Sequence, residues 1–409
     1  MNPSLCIYED RDYWQLYPLS LTRLVFELRC GIFTLVEKLV RHFPGYPVRY
    51  CVRNEFIRLA EEKHPDVLIN KFKKEDTYFI NGRFLLKEEV PKELSGTTVF
   101  VAKGEIVGAF VKQKDIGKVK QTSEGVLDDR VFSTYPKFEI KGEFIRYPWD
   151  LIRLNAQEII EDFKLIGSGG HILGKVYPNV TLLDQSNIYL APGAKVYPGV
   201  VINGESGPVY IGEGTEVMPN AVIEGPGFIG KNSRIKIGAK IYEGTSIGEV
   251  CKIGGEVEES IIHAFSNKQH EGFLGHAYLG EWVNLGADTN NSDLKNNYST
   301  VKVSIYGRQI DTGSQFVGLF MGDHSKSGIN TMFNTGTVIG VMCNIFGADY
   351  PPKFVPSFTW GGVGEKARYD FDKAIETARR VMQRRNKALT DAQVTLLKQI
   401  YERSLNEPI

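Results

Sequence analysis

The densest group of side chains able to do chemistry lies between residues 266 and 302. It comprises the segment Ser266-Asn-Lys-Gln-His270, a glycine- and asparagine-rich stretch from Gly275 to Asn290, and Lys302. A neutral imidazole is a suitable general base, an amide N–H can donate to an oxyanion, and an ammonium can pair with a phosphate. The alternative for His270 is an ordinary solvated histidine of a loop.

The elements that must position these residues repeat every six residues. Isoleucines stand at Ile229, Ile235, Ile241, Ile247 and Ile253. The same spacing is found at Leu190, Val196 and Ile202, at Ile211, Val217 and Ile223, and at Met321, Phe333, Ile339 and Ile345, with Ser327 out of type. This period is neither that of a helix nor that of an open-sheet strand. It is typical of a solenoid with one inward aliphatic residue on each short flat side.

Hexads such as Ile211-Gly-Glu-Gly-Thr-Glu216 and Ile241-Tyr-Glu-Gly-Thr-Ser246 resemble the hexapeptide repeat of left-handed parallel β-helices. Most known hexapeptide solenoids are acyltransferases, and many of them act on sugars or sugar nucleotides. The resemblance implies a left-handed β-helix over residues 176–360. A non-repetitive excursion from Asp288 to about Val303 interrupts it, and we expect this loop to cover the site of a neighbouring subunit.

The rest of the chain divides around this solenoid. Residues 1–155 alternate short β-like and helix-like segments, which predicts an α/β domain with a partly parallel sheet. Helices are expected over Leu21–His42 and Phe56–His64. Apolar side chains at helical spacing predict a connecting amphipathic helix over residues 148–165. Residues 156–175 are assigned as linker helix and hinge, and residues 361–409 as a helical cap. The cap is expected to be one helix, Lys366–Leu405, packed on a neighbouring subunit.

Composition excludes several classes of protein. The chain has 409 residues, with 49 basic and 49 acidic side chains, so no basic excess indicates nucleic-acid binding. No apolar run approaches the roughly 20 residues needed to span a bilayer, and the first residues do not look like a signal peptide. The five cysteines are scattered without metal-ligand spacing, which predicts no metal site and a cytoplasmic protein with reduced thiols.

The segment from Ser266 to Lys302 resembles the acetyltransferase half of the bifunctional N-acetylglucosamine-1-phosphate uridyltransferase/glucosamine-1-phosphate acetyltransferase family. There, a Ser-Lys-Ala-Gly-His segment leads into a Leu-Gly turn, then Asn-Ile-Gly-Ala-Gly-Thr and an Asn-Tyr pair. The register runs without a gap to Thr289 and places His270 on the catalytic base and Asn284 on a substrate-contacting asparagine. With one gap each, further positions match substrate-binding residues: Asn297, Tyr298, Lys302 and Glu258.

The resemblance implies acetyl-CoA as co-substrate, an amino sugar phosphate or sugar nucleotide as acceptor, and a homotrimer. His270 would act as general base, Asn284 would contact substrate or the developing oxyanion, and Lys302 would pair with a phosphate. Two positions depart from the family. A tyrosine of the substrate site is Phe273 here, and the glycine before Thr289 is Asp288. Both changes alter the sugar side of the pocket, so the acceptor need not be glucosamine 1-phosphate.

Residues 1–165 resemble a group of sugar nucleotidyltransferases, on Pro18-Leu-Ser-Leu-Thr-Arg23, Phe26-Glu-Leu-Arg-Cys-Gly31 and Tyr147-Pro-Trp-Asp-Leu151. The wider superfamily opens with a Gly-x-Gly-Thr-Arg-Met loop that holds the nucleoside triphosphate, and its Asn-Gly-Asp motif binds Mg²⁺. Here Ile7–Tyr13 has no glycine, and the second motif is Asn81-Gly82-Arg83. An arginine cannot bind a metal, so Mg²⁺ is expected only if another carboxylate, such as Asp10 or Asp12, replaces it.

Arg23 and Arg29 are candidate nucleotide- or phosphate-binding residues, and ion pairs on a helix surface are the alternative. Three hypotheses follow for the whole chain. The first is acetyl-CoA-dependent acyl transfer at the β-helix in sugar-nucleotide biosynthesis. The second is a nucleotidyltransferase, alone or bifunctional, and the third is a non-catalytic trimer that binds a sugar nucleotide.

Overall fold

A computed structural model describes residues 3–407. The first domain is built on a seven-stranded sheet of order β3-β2-β1-β4-β7-β6-β8, beside the two-stranded sheet β5-β9. Strands β1 to β4 pair in parallel, and β7 runs antiparallel to both β4 and β6. The strands are β1 Ser4–Tyr8, β2 Val48–Cys51, β3 Leu68–Ile69, β4 Thr77–Asn81, β5 Phe84–Leu86, β6 Thr98–Ala102, β7 Glu105–Val111, β8 Lys137–Glu139 and β9 Gly142–Phe144. The partly parallel α/β sheet predicted from sequence is present.

The helices of this domain are shorter than predicted. Helix α1 spans Leu35–Arg41 and α2 spans Ile57–Lys63. Most of the predicted helix Leu21–His42 before α1 is not α-helical: short 3₁₀ turns lie at Leu19–Leu21 and Val25–Glu27, and Glu27 accepts a bond from the backbone N–H of Leu24 at 2.9 Å. The apolar side chains of this segment are buried on every side rather than on one stripe, so their spacing imitates that of a helix.

A long helix, α3, joins the two domains. It spans Pro148–Ile166 and ends at Gly167, whose φ of +66° suits a helix terminus. This confirms the connecting helix predicted over residues 148–165, although the first domain was assigned to end at residue 155.

The chain then winds into a left-handed parallel β-helix with three faces. Face 1 stacks β10-β13-β16-β19-β22-β25 and later β32-β35-β37-β38; face 2 stacks β11-β14-β17-β20-β23-β26 and later β28-β33; face 3 stacks β12-β15-β18-β21-β24-β27-β31-β34-β36. Its strands are β10 Lys175–Val176, β11 Thr181–Leu183, β12 Ile188–Leu190, β13 Lys195–Val196, β14 Val201–Asn203, β15 Val209–Ile211, β16 Glu216–Val217, β17 Val222–Glu224, β18 Gly227–Ile229, β19 Arg234–Ile235, β20 Lys240–Ile241, β21 Thr245–Ile247, β22 Lys252–Ile253, β23 Glu256–Glu258, β24 Ile261–Ala264, β25 Asn267–Lys268, β26 Phe273–Gly275, β27 Tyr278–Glu281, β28 Asn290–Asn291, β31 Leu319–Met321, β32 Lys326–Ser327, β33 Met332–Phe333, β34 Thr337–Ile339, β35 Asn344–Ile345, β36 Phe354–Val355, β37 Thr359–Trp360 and β38 Ala367–Arg368.

The six-residue period is that of the inward side chains, which form one apolar column behind each face. Three polar residues interrupt these columns: Lys268 and Ser327 behind face 1, and Asn291 behind face 2. Ser327 bonds to the Thr289 hydroxyl at 2.8 Å, and the Asn291 amide bonds to both the N–H and the carbonyl of Gly275. Each interruption is therefore hydrogen-bonded, as buried polar groups require.

The excursion from the β-helix is longer than predicted. It leaves after β28 and returns at β31, and it contains the antiparallel hairpin β29 (Lys302–Ile305) and β30 (Arg308–Asp311). The tip of this hairpin packs on the first domain, with the Tyr306 ring 5.9 Å from that of Trp14 and 5.7 Å from that of Tyr17.

The cap is two helices rather than the single helix predicted. Helix α4 spans Phe371–Gln383 and α5 spans Asp391–Ser404, where Thr390 caps α5 through a reciprocal pair of bonds with Gln393. Asn386, with a φ of +53°, breaks the helix between them. Their apolar faces join a core that the first domain and the β-helix of the same chain share, whereas packing on a neighbouring subunit was predicted.

The first domain docks on face 3. The amide of Asn155 in α3 donates to the Gly244 carbonyl at 2.7 Å, and the Ser246 hydroxyl donates to the Gly31 carbonyl at 2.9 Å. Further along the same face, the Trp149 and Phe320 rings are 6.2 Å apart. In the described part of the chain, no helix is long and apolar enough to cross a membrane.

Candidate functional site

His270 lies on the turn between face 1 and face 2. Its side chain is exposed. Lys268, two residues earlier, points into the β-helix and donates to the His270 carbonyl at 3.1 Å and to the Gly254 carbonyl at 2.9 Å. The turn is therefore tied to the interior of the β-helix while the imidazole faces outward.

The same turn exposes large apolar side chains in other coils. Strand register places Ile237, His270 and Ile329 at equivalent positions of stacked coils. Ile237 is 60% exposed and Ile329 is 71% exposed, and the neighbouring Phe346 is 41% exposed. An edge with this much accessible apolar surface is suited to packing against another protein surface.

Asn284 lies on face 1, one coil beyond His270. It stands in a ladder of outward side chains in which Asn267, Asn284 and Lys326 are direct neighbours. The Asn267 amide donates to Asn284 Oδ1 at 3.4 Å, which orients the Asn284 side chain. Within residues 3–407, no hydrogen bond uses Asn284 Nδ2 as donor.

Positive charge gathers on the same face. Lys252 is the neighbour of Asn267 in the ladder, and Arg385, which follows α4, donates to Asn267 Oδ1 at 3.3 Å. The pKa of Lys252 is lowered by burial and then by the cationic side chains around it: Arg385, Arg234, Lys236 and Arg384. A cluster of cations this close together favours an anion.

Glu258 and Phe273 meet on the outside of face 2. Strand register pairs Glu258 with Gly275, and a Cβ on Gly275 would lie 2.4 Å from the Phe273 ring and 2.5 Å from Asp293 Oδ2. Beside them, His276 bonds to Asp293 at 2.8 Å and to Glu259 at 3.3 Å.

Charge coupling in this cluster shifts the pKa values of two of its members. Burial alone would lower the pKa of His276, but its bonds to the Asp293 and Glu259 carboxylates outweigh that effect and raise it to about 9. Burial raises the pKa of Glu258, and the positive charge of His276 partly opposes this increase. Face 2 thus carries an imidazolium between carboxylates, next to the aromatic ring of Phe273.

Asn297, Tyr298 and Lys302 lie in the excursion and are all exposed. Asn297 Oδ1 accepts from the backbone N–H of Ser299 at 3.1 Å, and the side chain of Tyr298 is 65% exposed. Within the described chain, no hydrogen bond joins any of these three side chains to His270 or Asn284. A single chain therefore brings Glu258 and Phe273 together, places His270 and Asn284 on adjoining surfaces, and leaves these three apart.

Arg23 and Arg29 take part in the interface between the domains. Arg23 is 2% exposed and pairs with Asp323 of the β-helix at 2.7 Å. The backbone N–H of Arg29 donates to the Tyr278 hydroxyl at 2.9 Å, and its guanidinium lies 5.2 Å from the centre of the Phe228 ring. Neither the predicted phosphate contact nor the predicted pairing on a helix surface describes these arginines, because both guanidiniums are buried by the β-helix.

In the first domain, the carboxyl ends of β1 and β4 hold two buried ion pairs. This edge of a parallel sheet is where ligands generally bind. Glu9 accepts two bonds at 3.0 Å from the Arg53 guanidinium and is fully buried. Asp10 accepts from Arg83 and from Asn81, both at 2.6 Å, through the same oxygen, while its other oxygen accepts from the Asp12 backbone N–H.

These residues do not fit a bound Mg²⁺. Asp10 is the carboxylate nearest to the Asn81-Gly82-Arg83 motif, and its pairing with Arg83 places a cation where a metal would bind. Across residues 3–407, no group of three or more histidine, cysteine, aspartate or glutamate side chains is arranged to hold a metal ion. Because Mg²⁺ requires several carboxylate or water oxygens, we derive no step through this metal.

Sequence reasoning missed two features of the site. Lys268 stands at an inward position of the six-residue period, so the period itself could have located it. The His276–Asp293 pair joins face 2 to the excursion, and no local spacing predicts it because the residues are 17 positions apart and in different elements.

The chain thus combines an α/β domain, which has an open, partly parallel sheet, with a hexapeptide-type left-handed β-helix on which that domain docks. Residues 5–170 match the sugar nucleotidyl transferase family.

Several proteins similar to this chain are named as bifunctional. A bifunctional sugar-1-phosphate nucleotidylyltransferase/acetyltransferase of Sulfurisphaera tokodaii is 36% identical over 104 residues, or 25% of this chain and 26% of that protein. The bifunctional protein GlmU of Rippkaea orientalis is 24% identical over 69% of this chain and 71% of that protein. GlmU of Methanocaldococcus jannaschii is 31% identical over 53% of each. The chain thus spans from about a quarter to about seven-tenths of these relatives.

Among solved structures, a UDP-N-acetylglucosamine acyltransferase of Francisella novicida is similar at 16% sequence identity and a TM-score of 0.30. The match covers 57% of this chain and 78% of that one.

Proposed function

We propose that this protein transfers the acetyl group of acetyl-CoA to the amine of an amino sugar phosphate or sugar nucleotide, at the turn that carries His270. The observation that carries the proposal is the position of His270, an exposed imidazole next to the Asn284 ladder on face 1. The register with the acetyltransferase family and the similarity to bifunctional relatives support it.

His270 serves as general base. It accepts a proton from the amine as the nitrogen attacks the thioester carbonyl carbon, and an N–C bond forms. Asn284 Nδ2 donates to the carbonyl oxygen while that oxygen carries negative charge. The C–S bond then breaks, and the CoA sulfur takes the proton from the imidazolium and leaves as a thiol.

The co-substrate and the acceptor lie on different faces. The cations around Lys252 pair with the phosphates of CoA, along the ladder that includes Asn284. Glu258 and Phe273 face the sugar, on the other side of the His270 turn. Phe273 offers a ring without a hydroxyl, so it packs against the sugar rather than bonding to it.

The working form is a homotrimer in which each site lies between two subunits. The accessible side chains of Ile237, Ile329 and Phe346, on the same edge as His270, support this arrangement. In the trimer, Asn297, Tyr298 and Lys302 of one subunit reach the His270 turn of the next, because the excursion leaves them exposed.

The test is release of thiol from acetyl-CoA with a panel of amino sugar 1-phosphates and UDP- or dTDP-linked amino sugars. We expect turnover with at least one acceptor and a loss of about 10²–10⁴-fold in His270→Ala, the usual contribution of a general base. His171→Ala removes another exposed histidine of the β-helix and serves as control. A folded protein that releases no thiol with any acceptor, or a His270→Ala variant as active as wild type, would refute the proposal.

A second candidate function is nucleotidyl transfer in the first domain, favoured by the family match over residues 5–170. It is tested by release of pyrophosphate from a nucleoside triphosphate and a sugar 1-phosphate with Mg²⁺. The Asp10–Arg83 pair leads us to expect none, and Mg²⁺-dependent release would establish this second activity.

A further inference from the structure

Lys268 is a lysine inside the β-helix. Strand register places it between Ile253 and Leu285 in the column behind face 1, and its side chain is 2% exposed. A lysine is almost never buried unless it is paired or hydrogen-bonded. In the acetyltransferase segment that this chain resembles, the register places an alanine at this position, so the buried ammonium is a departure of this chain.

The ammonium is held by carbonyl groups of two successive coils. Nζ donates to the Gly254 carbonyl at 2.9 Å and to the His270 carbonyl at 3.1 Å. The absence of a side chain at Gly255 leaves the room for it. A Cβ on Gly255 would lie 2.6 Å from Lys268 Nζ, 2.8 Å from the His270 carbonyl oxygen and 2.9 Å from that of Gly272.

We infer that Lys268 is a positioning residue, which fixes the turn 269–272 and thereby the imidazole of His270 from inside the β-helix. Backbone bonds also reach this turn from both neighbouring coils: the N–H of Glu256 donates to the Gly272 carbonyl at 3.2 Å, and the N–H of Asp288 donates to the Glu271 carbonyl at 3.1 Å. Lys268 is the side chain that joins the His270 backbone to the coil before it. Charged hydrogen bonds of this kind are stronger than neutral ones.

Burying the Lys268 ammonium removes it from water, which disfavours its charged form. Burial lowers the pKa of Lys268 to about 8, against the opposing charges of Glu271, Glu256 and Asp288. An apolar side chain would fill the same column without that cost, as in the neighbouring coils. The presence of a lysine at this position is therefore better explained by its bonds to the Gly254 and His270 carbonyls than by a gain in stability.

The consequence for catalysis rests on the proposed acyl transfer, so the experiment has one readout that depends on activity and one that does not. Lys268→Met keeps the length and approximate volume of the side chain and removes both bonds. We expect kcat for thiol release to fall about 10–100-fold with little change in KM, since small misplacements of a catalytic group cost this much. We also expect faster hydrogen exchange at residues 269–273, with the protein as stable as wild type or more so.

Gly255→Ala is a second route to the same effect, because its methyl group would displace Nζ without removing the lysine. Its matched control is Gly238→Ala, which has nearly the same φ, +67° against +68°, but no atom within 4 Å of the added methyl group. Ile253→Met controls for a methionine in the same column. Both controls are expected to keep wild-type kcat and exchange.

Unchanged exchange at residues 269–273 in Lys268→Met would overturn the inference whether or not the protein transfers acyl groups. Faster exchange with an unchanged kcat would overturn its catalytic part. If wild type releases no thiol, the acyl-transfer proposal fails by itself, and the exchange measurement still decides whether Lys268 fixes the turn.

Discussion

Arg23 of the first domain and Asp323 of the β-helix form an ion pair of 2.7 Å across 300 residues of sequence, and both side chains are almost fully buried. Asp323 is in turn fixed by Thr22, whose hydroxyl donates to it at 2.7 Å, and by the backbone N–H of Glu281 at 2.8 Å. This pair ties the first domain to the β-helix, whereas the sequence suggested either a phosphate contact or an ion pair on a helix surface.

Arg23→Met should therefore destabilise the whole chain. Removing one partner leaves the Asp323 carboxylate buried without its charge partner, which typically costs about 3–5 kcal/mol. Denaturant unfolding measures the change. Arg11→Ala, which breaks an exposed pair with Asp128, should change the free energy of unfolding by about 1 kcal/mol or less. Equal effects of the two substitutions would contradict this assignment.

The His276 cluster predicts a dependence of stability on pH. The pKa of His276 is raised from 6.5 to about 9 in the folded protein. Its contribution is therefore complete below pH 6.5 and is lost as pH rises through 9, because the unfolded imidazole releases its proton first. His276→Gln should be less stable than wild type by about 2 kcal/mol at pH 6. The difference should shrink by pH 10, and urea unfolding at both pH values checks it; a gap that stays constant would rule out the charged pair.

At Asn291, we expect that replacing a buried polar side chain by an apolar one lowers the stability of the protein. Asn291→Leu would make the face 2 column apolar between Leu274 and Phe333, but it leaves the N–H and carbonyl of Gly275 without their bonds to the amide. We expect a loss of about 2 kcal/mol in thermal or denaturant unfolding. Asn297→Leu, at an exposed position of the excursion, is the control. Stabilisation by Asn291→Leu would show that the two bonds contribute less than apolar packing.

We expect that Mg²⁺ does not change the thermal stability of the protein. A ligand present at 100 times its Kd would stabilise the fold by about 2.7 kcal/mol. Because Asp10 is already paired with Arg83, millimolar Mg²⁺ should leave the thermal midpoint unchanged in wild type. Ca²⁺ at the same concentration controls for general ionic effects. A midpoint raised by Mg²⁺ alone would mean that the domain has a metal site elsewhere.

The six-residue period was sufficient to predict the β-helix because each inward position is filled by a local, repeating choice of side chain. Even the exception at Ser327 was visible in the pattern, and in the structure it is an inward, hydrogen-bonded residue. The partly parallel sheet of the first domain was predictable for a similar reason, since its strands are short apolar runs. The functional roles of His270, Asn284 and their partners remain predictions, which rest on the alignment of this segment with the acetyltransferase family.

What sequence did not predict depends on contacts between distant segments. Arg23 and Arg29 were candidates for phosphate binding because nothing local indicates that face 3 would cover them. The segment 21–42 has the apolar content of a helix, yet only Leu35–Arg41 is α-helical, and the apolar residues before it are buried in the core without a helical stripe. The helical cap breaks at Asn386, because α5 reverses direction and packs on α2 and on Phe358 at the end of the β-helix.

The lateral docking of the first domain on face 3 changes how this β-helix should come apart. Solenoids usually open coil by coil, since each repeat contacts only its neighbours. Here the first domain and α3 contact many coils at once, from Tyr189 to Asp323, so those coils are expected to be lost together with the first domain in a single cooperative event. Fraying should begin at the start of the β-helix, where Leu173, Val176 and Leu183 remain accessible.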